Sequence, residues 1–426
     1  MPATTVDRDE DFEASLRSVN EQTADRITQA GLTAAPQADA LTVCRRLSLA
    51  LVGGTMSLEE IRALEEVPDD DKVRWWTAHL LDDRRWADYF AERISRACVG
   101  TNQGPFLLFR RRKFNAWLAD QIQSGVGYDQ IVREMVGSDG LWTDTPAVNF
   151  ITATMDEARN GRADPVRLAA RTSRAFLAMR IDCLQCHDDV LQKTNFGTAD
   201  EPIEGTQKHF HSLASFYSGT RVAEAAFRGI MEDKQQYEYQ FLGSEQTETV
   251  RPQVPFQSEL LPDEGKPRRR LAQWLTHREN KQFARAAVNR VWALMFGTGL
   301  IEPVDDIPLV GDVPAMLDTL ADDFIKHDYN LRRLVTLIAS TDAFQRSSRA
   351  DFEVTAAHEA AWAVYPLVQL RPDQIAGSII QACRLTAVDD HASIFIQLKA
   401  FGDSNEFVKR FGDRGEDEFN FDAVTT

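Results

Sequence analysis

Apolar residues along most of this chain recur at three- and four-residue intervals, and long alternating runs of β-branched residues are almost absent. That pattern predicts a mainly α protein. Leu41, Cys44, Leu47 and Leu51 fall on one stripe, which Gly53-Gly54 stops. A capping box, Ser57 with Glu60 three residues on, opens the next helix ahead of Ile61 and Leu64. Pro68 ends it, and Asp69 to Asp71 set carboxylates at the positive end of another helix. Trp75, Trp76, Leu80 and Leu81, then Trp86, Tyr89, Phe90 and Ile94, mark two aromatic-rich helices. Gly137 to Asn160 reads as a polar loop punctuated by Gly and Pro, and a helix from about Asp164 to Arg180 leads to Cys183.

After Tyr217 the periodicity weakens. Glu232 to Pro267 is polar, and Pro252, Pro255, Pro262 and Pro267 break any regular element, so this stretch reads as a linker. Helical spacing returns over 268–277, 283–296 and 316–324, with a Gly- and Pro-rich turn at 297–314. The expected architecture is two helical domains joined by a Pro-rich linker. It comprises a helical or extended segment (1–39), a helical domain (40–220), the linker (221–264), a second helical domain (265–400) and a C-terminal segment (401–426). No fixed-period repeat indicates a solenoid.

Charge narrows the function classes. With 48 Lys+Arg against 65 Asp+Glu the net charge is −17, which argues against a surface built to follow nucleic-acid phosphates. The basic run Arg110 to Lys113 ahead of Phe114 and Trp117 therefore reads as a solvated helix face rather than a phosphate grip. No stretch approaches the roughly 18 to 20 apolar residues of a membrane-spanning segment. Five cysteines cannot make a dense disulfide framework, and Cys44, Cys98 and Cys383 read as small buried hydrophobes. Met1 to Glu10 carries four charges and no apolar core of the kind export signals use. Taken literally the chain is cytoplasmic. Both ends, however, read as trimmed.

One constellation carries chemistry. Cys183-Leu184-Gln185-Cys186-His187 is the pattern for covalent attachment of haem c: two thiols one turn apart add to two vinyl groups, and the adjacent imidazole reaches the iron. Three other readings compete. A thioredoxin-like dithiol needs a βαβ setting that these helices do not supply. A zinc site would draw His209 or His211 to Cys183, Cys186 and His187. In a haemless scaffold the cysteines would be a disulfide or free thiols. For the second iron ligand His211 is chosen over His209, because Ala214 and Ser215 at i+3 and i+4 leave room for a flat macrocycle. Met179, Met231 and an open position are the alternatives, and a helix-capping or surface role is the bland reading of either histidine. Asp188 and Asp189 read as capping the turn. No nucleophile elbow, phosphate loop or HExxH is present. The expected function is a haem-binding redox or electron-transfer module with an unknown redox or protein partner; the rival is a haemless helical scaffold.

Several segments together carry a resemblance. Ala40 to Trp86, Tyr128 to Glu134, the Cys183–His187 pentad and Phe210 to Phe216 resemble the planctomycete cytochrome-c-like domain of unknown function. Leu271 to Leu275, Phe283 to Ala293 with its Asn289-Arg290-x-Trp292, Phe296 to Leu300, Pro303 with Asp305-Asp306, and Leu317 to Phe324 resemble its companion, the second planctomycete-specific domain. The resemblance implies an exported, periplasmic protein, with haem binding inferred from the pentad; the chemistry of haem attachment then expects an export signal upstream of Met1 or in place of its first residues. Many members place a second histidine two residues after that of the pentad; here the position is Asp189. For Asn289, Arg290 and Trp292 the expectation is a buried Trp and an Arg bridge to Asp305 or Asp306 holding the Gly-rich turn, with a binding surface or a contact to the first domain as the alternative.

Overall fold

The structure, a computed structural model, describes residues 8–101, 109–155, 161–190, 193–223 and 229–383, together with 387, 407 and 410. It is mainly helical. Helices α1 (Glu10–Gln29), α2 (Ala40–Val52), α3 (Leu58–Glu65), α4 (Asp69–Asp82), α5 (Arg84–Val99), α6 (Arg111–Gln123) and α7 (Tyr128–Gly137) form the first half. They are followed by α8 (Asn149–Thr152), α9 (Pro165–Leu177) and α10 (Gln207–Ser215). The chain ends in α11 (Pro267–Leu275), α12 (Lys281–Phe296), α13 (Ala315–Lys326), α14 (Leu331–Ser340), α15 (Asp342–Gln345), α16 (Ala356–Ala360) and α17 (Pro372–Ala382). The signals that set these bounds are local. Ser57 and Glu60 close the capping box of α3 in both directions, at 3.1 and 2.6 Å, and Gly53 ends α2 at φ +68°.

The stretch expected to lack regular elements carries two small antiparallel hairpins, β1 (Thr220–Val222) with β2 (Ile230–Glu232) and β3 (Tyr237–Tyr239) with β4 (Glu248–Val250). Each strand is three residues long, too short for a period-2 pattern to stand out. The stretch 137–160 also departs from a polar loop. Trp142, Val148, Phe150 and Ile151 are buried, and Asn149 holds the turn by donating to the carbonyls of Trp142 and Pro146 at 2.9 and 2.8 Å.

Packing does not divide where the linker was expected. One continuous apolar cluster runs from Phe12 to Tyr365. Helix α1 packs on α13, α7 on α11, and α12 on both α2 and α9. Arg268, fully buried, ties three segments together. It donates to the carbonyls of Val136 and Ser138 at the end of α7, pairs with Asp139, and lies 2.5 Å from Glu232 on β2. Among the described residues no helix is long and apolar enough to cross a membrane.

Cys44 and Cys98 are buried as expected, and burial pushes both thiols up to about 12. Cys383 corrects the expectation: it is exposed, directly after α17.

Candidate functional site

Helix α9 delivers the chain to the pentad. Asp164 caps it by accepting from the backbone N–H of Val166 and Arg167, and Pro165 occupies the first turn, where a missing N–H costs nothing. Ala178 ends it in the left-handed region at φ +48°, unusual for a residue with a Cβ, and turns the chain outward. A 3-10 turn, Asp182–Gln185, follows, and the Cys186 N–H donates to the Cys183 carbonyl at 3.2 Å. Cys183 thus lies in the 3-10 turn and Cys186 at its C-cap, one turn apart. Both are exposed free thiols, His187 beside them is exposed, and Leu184 between them is fully buried as the anchor of the turn.

The imidazole of His187 has a defined tautomer. Its Nδ1 lies 2.7 Å from the Asp188 carbonyl, which can only accept, so Nδ1 carries the proton. Nε2 then holds a lone pair with no partner among the described residues. Burial, the Asp189 charge and the Asp182 charge push the Cys183 thiol up, against backbone hydrogen bonds that pull it down. Asp188 and Asp189 are structural, as expected: Asp188 accepts from the Gln207 N–H at 2.7 Å at the start of α10, and Asp189 from the Thr194 N–H at 2.6 Å. The Asp189 carboxylate thus closes a loop.

His211 does not stand open to the pentad side chains. It is fully buried. Its Nε2 donates to the Gln185 carbonyl at 3.0 Å, and its Nδ1 accepts from the Tyr237 hydroxyl at 2.8 Å. Tyr239 stacks on its ring at 3.5 Å between centroids and donates to the same Gln185 carbonyl at 3.0 Å. Gln207 adds a third donor at 3.3 Å. Both ring nitrogens of His211, the residue expected as second iron ligand, are committed to these bonds, and the side chain props the pentad turn from behind. His209 caps its own helix, its Nδ1 accepting from the Thr206 N–H at 3.1 Å. Met179 is buried in the core. No three His, Cys, Asp or Glu side chains among the described residues are gathered to hold a metal ion, so the zinc arrangement with His209 or His211 is not assembled.

The second half meets this site at its base. Arg290 does not bridge to Asp305 or Asp306 as expected. Its guanidinium donates to the Ala175 carbonyl at 2.5 Å and reaches that of Arg174 at 3.5 Å. Asp305 pairs instead with Arg180 at 2.6 Å and lies 3.8 Å from Arg174, which bonds Asp182 at 2.5 Å. Asn289 holds the Gly-rich turn, donating to the Ile301 carbonyl at 2.8 Å and accepting from its N–H at 3.0 Å. Trp292 is buried and stacks on Phe296 at 4.3 Å.

Residues 18–219 match the family model PSCyt2, described as a protein of unknown function (DUF1549). Residues 267–400 match PSD1, also described as a protein of unknown function (DUF1553). Both are planctomycete-type domains. The first match begins inside α1, and the two flank the hairpin stretch. No curated protein and no solved structure matches the chain.

Proposed function

We propose that the Cys183–His187 turn holds one covalently attached haem c and that the protein serves as a redox or electron-transfer module outside the cytoplasm. One observation carries the reading: two free, exposed thiols, one in a 3-10 turn and one at its C-cap, stand next to an imidazole whose Nδ1–H is tied to a backbone carbonyl. That tie fixes the ring and leaves Nε2 as the donor atom, the arrangement by which proteins orient metal-bound histidines. The donor set therefore fits the group. Cys183 and Cys186 would supply two thioether bonds and His187 the proximal ligand, while bound haem supplies one-electron chemistry. Val190, Ile203 and Leu242, exposed by 81, 49 and 74%, are apolar surface around the turn that a macrocycle can cover. Backbone and side-chain bonds lead from them to the turn: the Asp189 N–H donates to the Gly205 carbonyl, the Gln207 N–H to the Asp188 carboxylate and the Leu242 N–H to Gln207 Oε1.

The test is production of the full chain with an export signal in a host carrying a cytochrome c maturation system. Denatured protein should retain a visible haem spectrum and gain the mass of one haem. Cys183→Ser and Cys186→Ser should each leave a single thioether, and the double variant none. Wild-type protein without adduct mass, or with Cys183 linked to Cys186, refutes the reading.

A further inference from the structure

Asn289-Arg290-x-Trp292 and the Gly-rich turn after it stand out in the sequence, yet no part of the proposed haem site uses them directly. Bonds from Arg290 and from the turn reach one short piece of chain, residues 174–180, which leads to Cys183. The last turn of a helix leaves carbonyls without intrahelical partners, and in α9 the second half covers several of these. Arg290 takes the carbonyl of Ala175 and reaches that of Arg174. Gln282, 2% exposed, donates one amide group to both Leu177 and Ile307 carbonyls at 3.0 and 2.9 Å. The Ile307 N–H donates to the Ala178 carbonyl at 2.6 Å, at the left-handed residue where the chain turns outward.

Charge continues the line. Asp305 binds Arg180, and Arg174 sits between Asp305 and Asp182, the residue before Cys183. Asn289 sets where Asp305 and Ile307 stand, because its amide fixes Ile301 and reaches the Val304 carbonyl at 3.4 Å. Trp292, packed against Phe296 and Trp362, holds α12 in the core. The path is unbroken: core, α12, the end of α9, the turn at Ala178, and the turn that carries the thiols.

We propose that Gln282, Asn289, Arg290 and Asp305 are positioning residues for the Cys183–His187 turn, so that the C-terminal region serves as the anchor that fixes how the thiols and imidazole are presented. The inference deepens the haem reading and rests on it for its functional meaning. The anchoring itself is a property of the protein without haem and is measurable there.

The experiment uses the full reduced chain. Asp305→Asn and Arg180→Met remove the half-exposed end of the link and spare the buried amides. Arg285→Gln breaks an equivalent bond of α12 to Asp318 on α13, away from the pentad, and is the control. Backbone hydrogen exchange of residues 179–187 and alkylation of Cys183 by limiting iodoacetamide are followed together. Asp305→Asn and Arg180→Met should speed exchange in that segment about tenfold or more and raise alkylation, with α14 unchanged. Arg285→Gln should do neither. In haem-loaded protein the Asp305→Asn variant should show a larger fraction with one thioether instead of two. Exchange and alkylation at wild-type rates in both link variants, or acceleration spread evenly over the chain, overturns the anchor. A wild-type protein that takes no haem overturns the haem reading alone, because the exchange result stands without it.

Discussion

Replacing Arg268 by Met tests whether one buried cation joins the two halves. The guanidinium is wholly inside, and Glu232, whose side chain is 6% exposed, lies 2.5 Å from it. Burial pushes the Glu232 carboxyl up, and Arg268 opposes that rise. Methionine fills most of the same volume, so the cavity term is small and the loss comes from the stranded carboxylate and two uncovered α7 carbonyls. Removing one partner of a buried pair costs about 3–5 kcal/mol, and urea unfolding at pH 7.5 should show a loss of that size. The pH dependence has a definite sign. Without its cation Glu232 has a folded-state pKa above its unfolded value of about 4.5, so the folded state binds the extra proton. Stability of the variant therefore falls as pH rises from about 4.5 through the folded pKa, and part of the loss is regained near pH 5. Adding Glu232→Gln to the variant should restore much of it at pH 7.5. A loss below about 1 kcal/mol, no difference between pH 5 and 7.5 relative to wild type, or no rescue by the second change would refute the reasoning.

Trp292→Ala deletes a fully buried indole and should cost about 3–5 kcal/mol in urea unfolding; a loss under 1 kcal/mol would mean that α12 is held by its polar contacts alone. His211 has its pKa lowered by burial, so the unfolded state takes up the proton first as pH falls through about 6.5. Wild type should lose stability on going from pH 7 to 5, and His211→Gln should flatten that slope; equal slopes in the two proteins count against a buried neutral imidazole. With His209 and His211 bonded elsewhere and Met179 in the core, haem-loaded protein should have an open second axial position, giving a high-spin ferric spectrum that added imidazole converts to low-spin. A low-spin spectrum that disappears in His211→Ala would return His211 to the iron.

Much of the helical frame was legible because its signals are local. Leu41, Cys44, Leu47 and Leu51 lie on one helix that Gly53 ends, and the Ser57–Glu60 box sits where its spacing places it. Features missed share a different cause, which is partners far along the chain. The role of His211 depends on Tyr237 and Tyr239, which belong to a hairpin of three-residue strands. For Arg290 the sequence offers Asp305 and Asp306, yet its acceptors are backbone carbonyls 115 and 116 positions away, which no side-chain pattern announces. Gln282, whose acceptors are the Leu177 and Ile307 carbonyls, carries no sequence signal for the same reason. The segment 137–160 looked polar because Gly140 and Pro146 interrupt it, while Trp142, Val148, Phe150 and Ile151 still reach the core. The pentad was readable in full as a pattern, but the tautomer of His187 needed the position of one carbonyl.

Helix α1 completes its packing only with residues near the other end of the chain: Ser15 bonds Asp323, Asn20 accepts from the Asp342 N–H, and Asp9 receives Arg333. A ribosome adding about 5–20 residues per second needs on the order of 15 to 65 s to make the intervening stretch. Through that interval Phe12, Leu16, Val19 and Ile27 have no permanent cover, and α1 is buried long after it is made. A nascent chain in that condition is open to holding chaperones, and a fragment ending before α13 would lack the main cover of α1 for its whole lifetime.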